Sequence, residues 1–474
     1  MSNIVGRTKE AKLLTKLVNS DKPEFLAVYG RRRIGKTYLL RQFFDNDFHF
    51  SLTGLANAST SQQLFNFDTS LNTQSSLDLS RPSTNWLGAF QKLIQHLDTW
   101  SSDKKQVVYI DELPWFDTKG SDFVMALEHF WNHWASTKSN FLLIVCGSAA
   151  SWVVKNIINN KGGLHNRVTN KIKLQPFNLS EAEELLQANG CQLDRYQVIQ
   201  LYMVLGGIPY YLDAIDPGLS AAQNIQALLF DETGLLHNEF YNLYRSLFKK
   251  HLIYEDLVTV LSSKTKGLTR KEITEQSKLG SGGTLTTVLR DLEESGFISS
   301  YVALDSKKKN TIYRLSDYYT AFFLRFIVNK KHLGSKAWLH LIDHPSVRAW
   351  EGFSFEQVCL DHVDQIKSGL GIEGMQSHNA SWRGSTEAKQ AQVDLLIDRR
   401  DQVINLCECK FSLDTYSISK DYADKLRSKS EVFRSGTKTK KSVFLTMITT
   451  YGLKRNQYSD MLVTSHIDMD VLFT

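Results

Sequence analysis

The sequence predicts an α/β protein whose N-terminal third is a doubly wound parallel sheet, and three observations predict it. Three runs, FLAVY (Phe25–Tyr29), QVVYI (Gln106–Ile110) and FLLIVC (Phe141–Cys146), are apolar without alternation. That pattern suits central strands covered by helices on both faces. The segments between them have helical periodicity: Leu87, Phe90, Leu93, Ile94 and Leu97 share one stripe of Trp86–Leu97. Each run is followed by glycine or polar residues, where the chain can turn into the next helix. Strand and helix alternating in this way build a parallel sheet, and this core is expected over residues 1–178.

The remaining elements follow in order. NLSEAEELLQANG reads as a helix with Ser180 as N-cap and an end near Gly190, opening a helical subdomain over residues 179–250. Residues 251–330 change rhythm, with a helix at Ile253–Leu261, a short one from Thr269 and another after Gly282-Gly283. The hairpin GFISSYVAL and TIYRLS follows, joined by the polar run Asp305–Asn310. That order is a winged helix-turn-helix, with the aromatic stretch Tyr318–Ile327 as a connector. Residues 345–474 begin with a helix and continue in β-rich runs, a second α/β domain. The stretch Asn57–Ser83, rich in Ser, Thr, Asn and Gln, is expected to be a mobile loop.

The chain has 474 residues, of which 42% are hydrophobic and 22% charged, enough for two to four packed domains. A net charge of +6 permits a nucleic-acid partner without demanding one. The five cysteines (Cys146, Cys191, Cys359, Cys407, Cys409) read as small apolar residues in a reducing compartment. His251, His332, His344 and His378 have no metal-ligand spacing. The N-terminus MSNIVGRTKE lacks the apolar core of a signal peptide, and no run reaches the ~18 apolar residues of a spanning helix. The expectation is a cytoplasmic protein with no membrane partner.

Chemistry enters with Gly30-Arg31-Arg32-Arg33-Ile34-Gly35-Lys36-Thr37, which fits G-x-x-x-x-G-K-[ST] and lies between the strand FLAVY and the helix Thr37–Phe44. The glycines let the backbone wrap phosphates, and amides at the helix N-terminus donate to them. Lys36 is placed to reach the β- and γ-phosphates of ATP, and the Thr37 hydroxyl to hold Mg²⁺. VVYIDE then delivers Asp111 to the C-terminal edge of the sheet for the magnesium shell, with Glu112 next to it to orient and deprotonate an attacking water. FLLIVC ends in Gly147-Ser148, which puts the Ser148 hydroxyl at the γ-phosphate end. Arg167, in LHNRV, is the candidate cation for charge developing on that phosphate.

With IVGRTKE, GRRRIGKT, YIDELPWF, CGSA, the Arg167 segment leading into LQPF, and GGIPYYL at Gly206–Leu212, residues 1–330 resemble the prokaryotic AAA-related ATPases of the STAND type, often called archaeal-type ATPases. The resemblance implies that Gly6 and Arg7 lie near the adenine and that Gly207-Ile208-Pro209 is a helical-subdomain motif that feels the nucleotide. The sequence departs from the family at Asn166, where glycine is common.

A second constellation lies in the last domain. AQVDLLID carries Asp394 and VINLCECKF carries Glu408 and Lys410, the latter two on one face of a strand. A turn near Asp401 brings Asp394 opposite Glu408, and Glu356, in the helical FSFEQVCLDHV, leans over the same patch. Paired carboxylates of this kind hold Mg²⁺ or Mn²⁺, while a lysine positions the nucleophile. The pattern resembles the PD-(D/E)XK nuclease superfamily over residues 345–474, which implies a restriction-endonuclease-like fold. Thr284, Thr286, Thr287 and Arg290, with Lys307, Lys308 and Lys309 at the wing tip, are the candidate DNA contacts.

The sequence therefore supports an ATP-controlled nuclease acting on DNA. Two rivals stand beside it. One is a nucleotide-dependent scaffold that binds DNA or a partner protein without cutting, including a C-terminal domain that keeps the fold and has lost cleavage. The other is a self-associating ring remodeller.

Overall fold

The computed structural model describes residues 4–77, 81–100, 104–302, 311–328, 337–385 and 390–474, with the side chains of residues 385 and 394 outside that description. The chain divides into two compact units, Met1–Gln175 and Pro176–Thr474.

In the first unit, β1 (Glu24–Tyr29), β2 (Phe50–Thr53), β3 (Gln106–Asp111), β4 (Phe141–Gly147) and β5 (Asn170–Lys173) form a parallel sheet of order β2-β3-β4-β1-β5. β1, β3 and β4 are buried at every position, as unalternating apolar strands must be. β4 lies between β1 and β3, so the strand order reverses beside β1, where such sheets open a crevice at their C-terminal edge. The loop after β1 and the acids that end β3 meet there. Helices α1 (Lys36–Phe43), α2 (Thr60–Gln74), α3 (Trp86–Leu97) and α4 (Phe123–His133) follow the strands. Phe90 of α3 stacks on Phe130 of α4 with ring centroids 5.1 Å apart, and Trp86 meets Phe123 edge-on at 4.8 Å. Such aromatic pairs add about 1 kcal/mol each beyond the area they bury.

Helix α2 corrects the expectation of a mobile loop over Asn57–Ser83. Ser59 and Gln62 close a reciprocal capping box, and Leu64, Phe67 and Leu71 turn one face into the core. Most of the polar residues of Thr60–Gln74 lie on its outer side, while Gln63 is buried and donates to the carbonyls of Leu55 and Trp115.

In the second unit, α5 (Leu179–Ala188) is capped by Asn178 rather than Ser180. Asn178 pairs with Glu181 in a capping box, which satisfies two orphan donors. Helix α6 (Arg195–Leu205) follows, ending at Gly206. In the GGIPYYL segment, a Cβ on Gly207 would sit 1.8 Å from the Phe177 carbonyl oxygen, so only glycine fits there. Helices α7 (His251–Ser262), α8 (Arg270–Gln276) and α9 (Gly283–Glu294) then pack with β6 (Leu268–Thr269), β7 (Ile298–Tyr301) and β8 (Ile312–Leu315), an antiparallel sheet of order β6-β8-β7. Helix α10 (Tyr318–Phe326) buries most of its aromatic residues.

The C-terminal part runs α11 (Pro345–Asp361), β9 (Ser377–Ser385), β10 (Gln390–Arg399), β11 (Val403–Lys410), α12 (Lys420–Thr437), β12 (Ser442–Thr449), α13 (Gln457–Leu462) and β13 (Ser465–Ile467). Its mixed sheet has the order β13-β12-β11-β10-β9. β9, β10 and β11 form an antiparallel meander, and β12 and β13 continue parallel to β11. Leu396, Ile404 and Leu406 share a core with Leu426 and Phe433 of α12. Phe411, just beyond β11, packs on Phe355 of α11 at 5.4 Å. No helix among the described residues is long and apolar enough to cross a membrane.

Candidate functional site

At the end of β1 the chain turns through Gly30, whose φ of 144° and position make it irreplaceable: a Cβ there would lie 2.5 Å from the Leu174 carbonyl oxygen and 2.8 Å from the Ile34 side chain. Ile34 is fully buried and pins the loop from inside. Arg33 and Gly35 also have positive φ, so the loop curls tightly before α1 begins at Lys36. The Lys36 ammonium is 5% exposed and folds back onto the carbonyls of Gly30 (3.1 Å) and Arg31 (2.8 Å). Burial lowers its pKa, and the nearby carboxylates of Glu112 and Asp111 oppose that shift.

The acids at the end of β3 are held by hydroxyls. Thr37 Oγ1 donates to Asp111 Oδ2 at 2.7 Å, across the crevice between α1 and β3. Asp111 is buried, and its other oxygen accepts from the Glu112 backbone N–H at 2.8 Å. Glu112 has φ 48°, a left-handed conformation that a non-glycine residue adopts only when its surroundings enforce it. Its carboxylate accepts from Ser148 Oγ at 2.7 Å and from the Ser148 N–H at 3.4 Å. One strand end thus presents two carboxylates in different settings: one beside the P-loop hydroxyl, the other tied to the end of β4.

The remaining expected site residues of this unit are spread more widely. Gly6 and Arg7 both have positive φ. The buried Arg7 guanidinium donates to the carbonyls of Ile34 (3.2 Å) and Gln175 (2.7 Å), bracing the P-loop from behind. Arg31 is buried and Arg32 exposed. Arg167 is exposed, follows Asn166 at φ 56°, and among the described residues its guanidinium has no ion-pair partner. Pro209 belongs to the second unit, where it opens a short helix, Pro209–Leu212.

In the C-terminal sheet Glu408 and Lys410 share the face turned toward α12. Glu408 accepts from Lys410 Nζ (3.1 Å), from Lys429 Nζ (2.6 Å) and from the Tyr422 hydroxyl. Lys410 also lies over the Tyr422 ring, 4.7 Å from its centroid. Burial alone would raise the Glu408 pKa, but Lys429 and Lys410 outweigh it and hold the carboxyl at about 2. Tyr422 and Lys429, seven residues apart on one face of α12, were not foreseen from the sequence.

Continuing the β10–β11 register one residue past Leu395↔Cys407 sets position 394 across from Glu408, and the same residue falls in the irregularity of β10 between Val393 and Leu396. The Asp394 side chain lies outside the described residues. Glu356 is on α11, close enough to the Cys409 thiol to add to the upward shift caused by its hydrogen bond to Cys359 and by burial. All five cysteines are free. Among the described residues no three His, Cys, Asp or Glu side chains converge as a metal site. Thr284, Thr286, Thr287 and Arg290 are exposed on α9, while Lys307, Lys308, Lys309 and His332 lie outside the described residues.

Residues 4–215 match the family model described as an ATPase domain predominantly from Archaea. An uncharacterised protein of Methanocaldococcus jannaschii is 24% identical over 370 residues, covering 76% of this chain and 77% of its own length. An uncharacterised ATP-binding protein of the same organism is 40% identical over 42 residues, 9% of this chain and 71% of its own. Among solved structures, the Walker-type ATPase of Pyrococcus abyssi superposes with a TM-score of 0.50 at 18% identity, over 68% of this chain and 96% of that one. This last likeness is one of fold.

Proposed function

We propose, from the premise that this chain carries an archaeal-type P-loop ATPase domain, that it is an ATP-binding and hydrolysing switch controlling a nuclease-like C-terminal domain that acts on DNA. The observation that carries the first half is the pairing of each acid at the β3 end with a hydroxyl, Asp111 with Thr37 and Glu112 with Ser148. A hydroxyl and a carboxylate 2.7 Å apart beside a phosphate-cradling loop are the donor set a hard divalent cation takes. Bound Mg²⁺ would neutralise charge on the β- and γ-phosphates. Lys36 exchanges its loop carbonyls for phosphate oxygens, and the backbone amides from Ile34 to Thr37 donate to the same group. Glu112 orients an attacking water and takes its proton, and Ser148 holds the carboxylate until the γ-phosphate is in place. Arg167 supplies a cation from the β5 side, while Gly6 and Arg7 frame the base.

The second half is supported by the order helix, three antiparallel strands, helix, parallel strand, with Glu408 and Lys410 at the end of the third strand. That order is in keeping with a PD-(D/E)XK reading of the domain. Glu356 lies by Cys409, which alternates with Glu408 along β11, rather than over the Glu408–Lys410 patch where the sequence pattern put it, and among the described residues the carboxylates do not gather into a cation site. Residues 251–316 add a helix and hairpin order suited to a winged helix, with the α9 threonines and Arg290 as DNA contacts.

One observation favours a second reading. Glu408 is already neutralised by two lysines and a tyrosine, which suits a domain that binds phosphates without cutting. Incubating the protein with plasmid DNA and Mn²⁺ separates the two. Cleavage that disappears in Asp394→Ala and Lys410→Ala supports the nuclease. Intact plasmid under every condition, with DNA still retained, supports the scaffold.

A further inference from the structure

Within the unit Pro176–Thr474 a cavity of about 290 Å³ opens between α6, α7, the β8–α10 junction and α11. Its volume is at the lower end of small-ligand sites and far below what a nucleic-acid strand needs. Two guanidinium groups line it, Arg314 near the end of β8 and Arg325 in the last turn of α10. Among the described residues neither has a carboxylate within ion-pairing distance. Arg325 is solvent-exposed and lies over the Phe326 ring, 5.6 Å from its centroid.

The acids nearby are engaged elsewhere. Asp317, on the cavity wall, caps α10 by accepting from the Thr320 N–H at 3.0 Å. Asp361, behind the wall, accepts from the Tyr318 hydroxyl and the Gln357 amide, both at 2.7 Å, and the charge of Arg314 also acts on it against the effect of burial. Trp350 and Phe353 of α11 supply the aromatic part of the lining, Trp350 buried and packed edge-on against Phe322 and Phe326, and Ser316 and Ser354 add hydroxyls with no protein partner among the described residues. Guanidinium groups with no direct ion-pair partner among the described residues, beside an aromatic wall, favour a ligand that brings both a negative charge and a plane.

We propose that this cavity binds a small anion with a planar apolar body, about the size of a nucleoside monophosphate. Arg314 and Arg325 hold the charged group, Trp350 and Phe353 receive the plane, and Ser316 and Ser354 complete the hydrogen bonds. The site is separate from the P-loop and does not depend on the reading of Glu408.

The test is a fluorescence titration of the full chain with 1-naphthyl phosphate in the absence of nucleotide, with the Lys36→Ala chain titrated alongside to separate any binding at the P-loop. 1-Naphthol and inorganic phosphate serve as separate probes of plane and charge. Binding of 1-naphthyl phosphate is expected to weaken about tenfold or more in Arg314→Gln/Arg325→Gln and by a similar factor for 1-naphthol, with phosphate alone weakest. Ser354→Trp keeps both arginines and fills the cavity, so it should abolish binding without changing the charge. Equal affinity in the double variant, equal affinity for 1-naphthol, binding that survives Ser354→Trp, or no binding by the unaltered chain would each overturn the site.

Discussion

The two carboxylate clusters are built at the ends of strands by the same device, yet they stand in opposite electrostatic states. At the end of β3, Asp111 and Glu112 accept from neutral hydroxyls, and the nearby ammonium of Lys36 is bonded to carbonyls instead of to them. At the end of β11, Glu408 is bonded to two ammonium groups at once. The first cluster keeps its charges of both signs uncombined until a ligand carrying phosphate and cation arrives. The second is balanced within the protein, and a ligand must displace a lysine to reach the carboxylate. A site held open in this way depends on its ligand, while a self-compensated one also contributes to the stability of the fold.

The comparison breaks most sharply at Lys36. Removing it by Lys36→Ala leaves the triphosphate without its ammonium, and a lost charge-assisted contact of about 3 kcal/mol weakens ATP binding roughly a hundredfold. Calorimetry checks this, and unchanged affinity would mean that the folded-back lysine never turns to the ligand. If the domains are coupled, any DNA cleavage should respond to the same variant.

The next effect belongs to Glu408. Its folded-state carboxyl titrates near 2, below the ordinary 4.5 of a glutamate. Because the native pKa is the lower one, the stabilisation is complete above about pH 4.5 and is lost as pH falls toward 2. Lys429→Met removes one of the two ammonium partners, so the Glu408 pKa should rise and the acid-unfolding midpoint of the second unit should move to higher pH. The loss at neutral pH should be about 1–3 kcal/mol. Circular dichroism against pH reads the shift, and an unmoved midpoint would show that Lys410 and Tyr422 hold the carboxylate without help.

A smaller effect is expected at Ser148. Ser148→Ala removes one hydroxyl hydrogen bond to the Glu112 carboxylate, worth about 1.5 kcal/mol, so ATP turnover should fall by roughly tenfold with little change in affinity. Steady-state kinetics separate the two, and a rise in KM alone would place the hydroxyl in binding instead of orientation.

How much of this was legible in the sequence follows the same division. The P-loop site is local: a strand, a glycine turn and a helix start set Gly30 to Thr37, and one further strand end supplies Asp111 and Glu112. Short-range rules read such geometry directly. The pairing of Glu112 with Ser148 needs only the neighbouring ends of β3 and β4, and the expected place of Ser148 followed from its strand. The partners of Glu408 come from α12, beyond the reach of strand periodicity. The one available signal was the seven-residue spacing of Tyr422 and Lys429 on a single helix face.

Helix α2 was misread for another reason. Its Ser, Thr, Asn and Gln content looks like loop, and only Leu64, Phe67 and Leu71 at helical spacing, with the Ser59–Gln62 box, reveal the element. Asn178 and Ser180 both have an acid three residues on, Glu181 and Glu183, and the cap falls to Asn178 while Glu183 pairs with Arg195. In each case the composition of a segment was a weaker guide than the position of two or three of its residues.

The central claim is that Asp111 and Glu112 divide their work, one holding the nucleotide's cation and the other serving the attacking water. Measuring ATP affinity and ATP turnover together in Glu112→Gln tests it most directly. The account predicts affinity within about threefold of the unaltered protein and turnover lowered by roughly a hundredfold or more. Turnover that persists at its normal rate, or affinity that collapses along with it, would contradict the account.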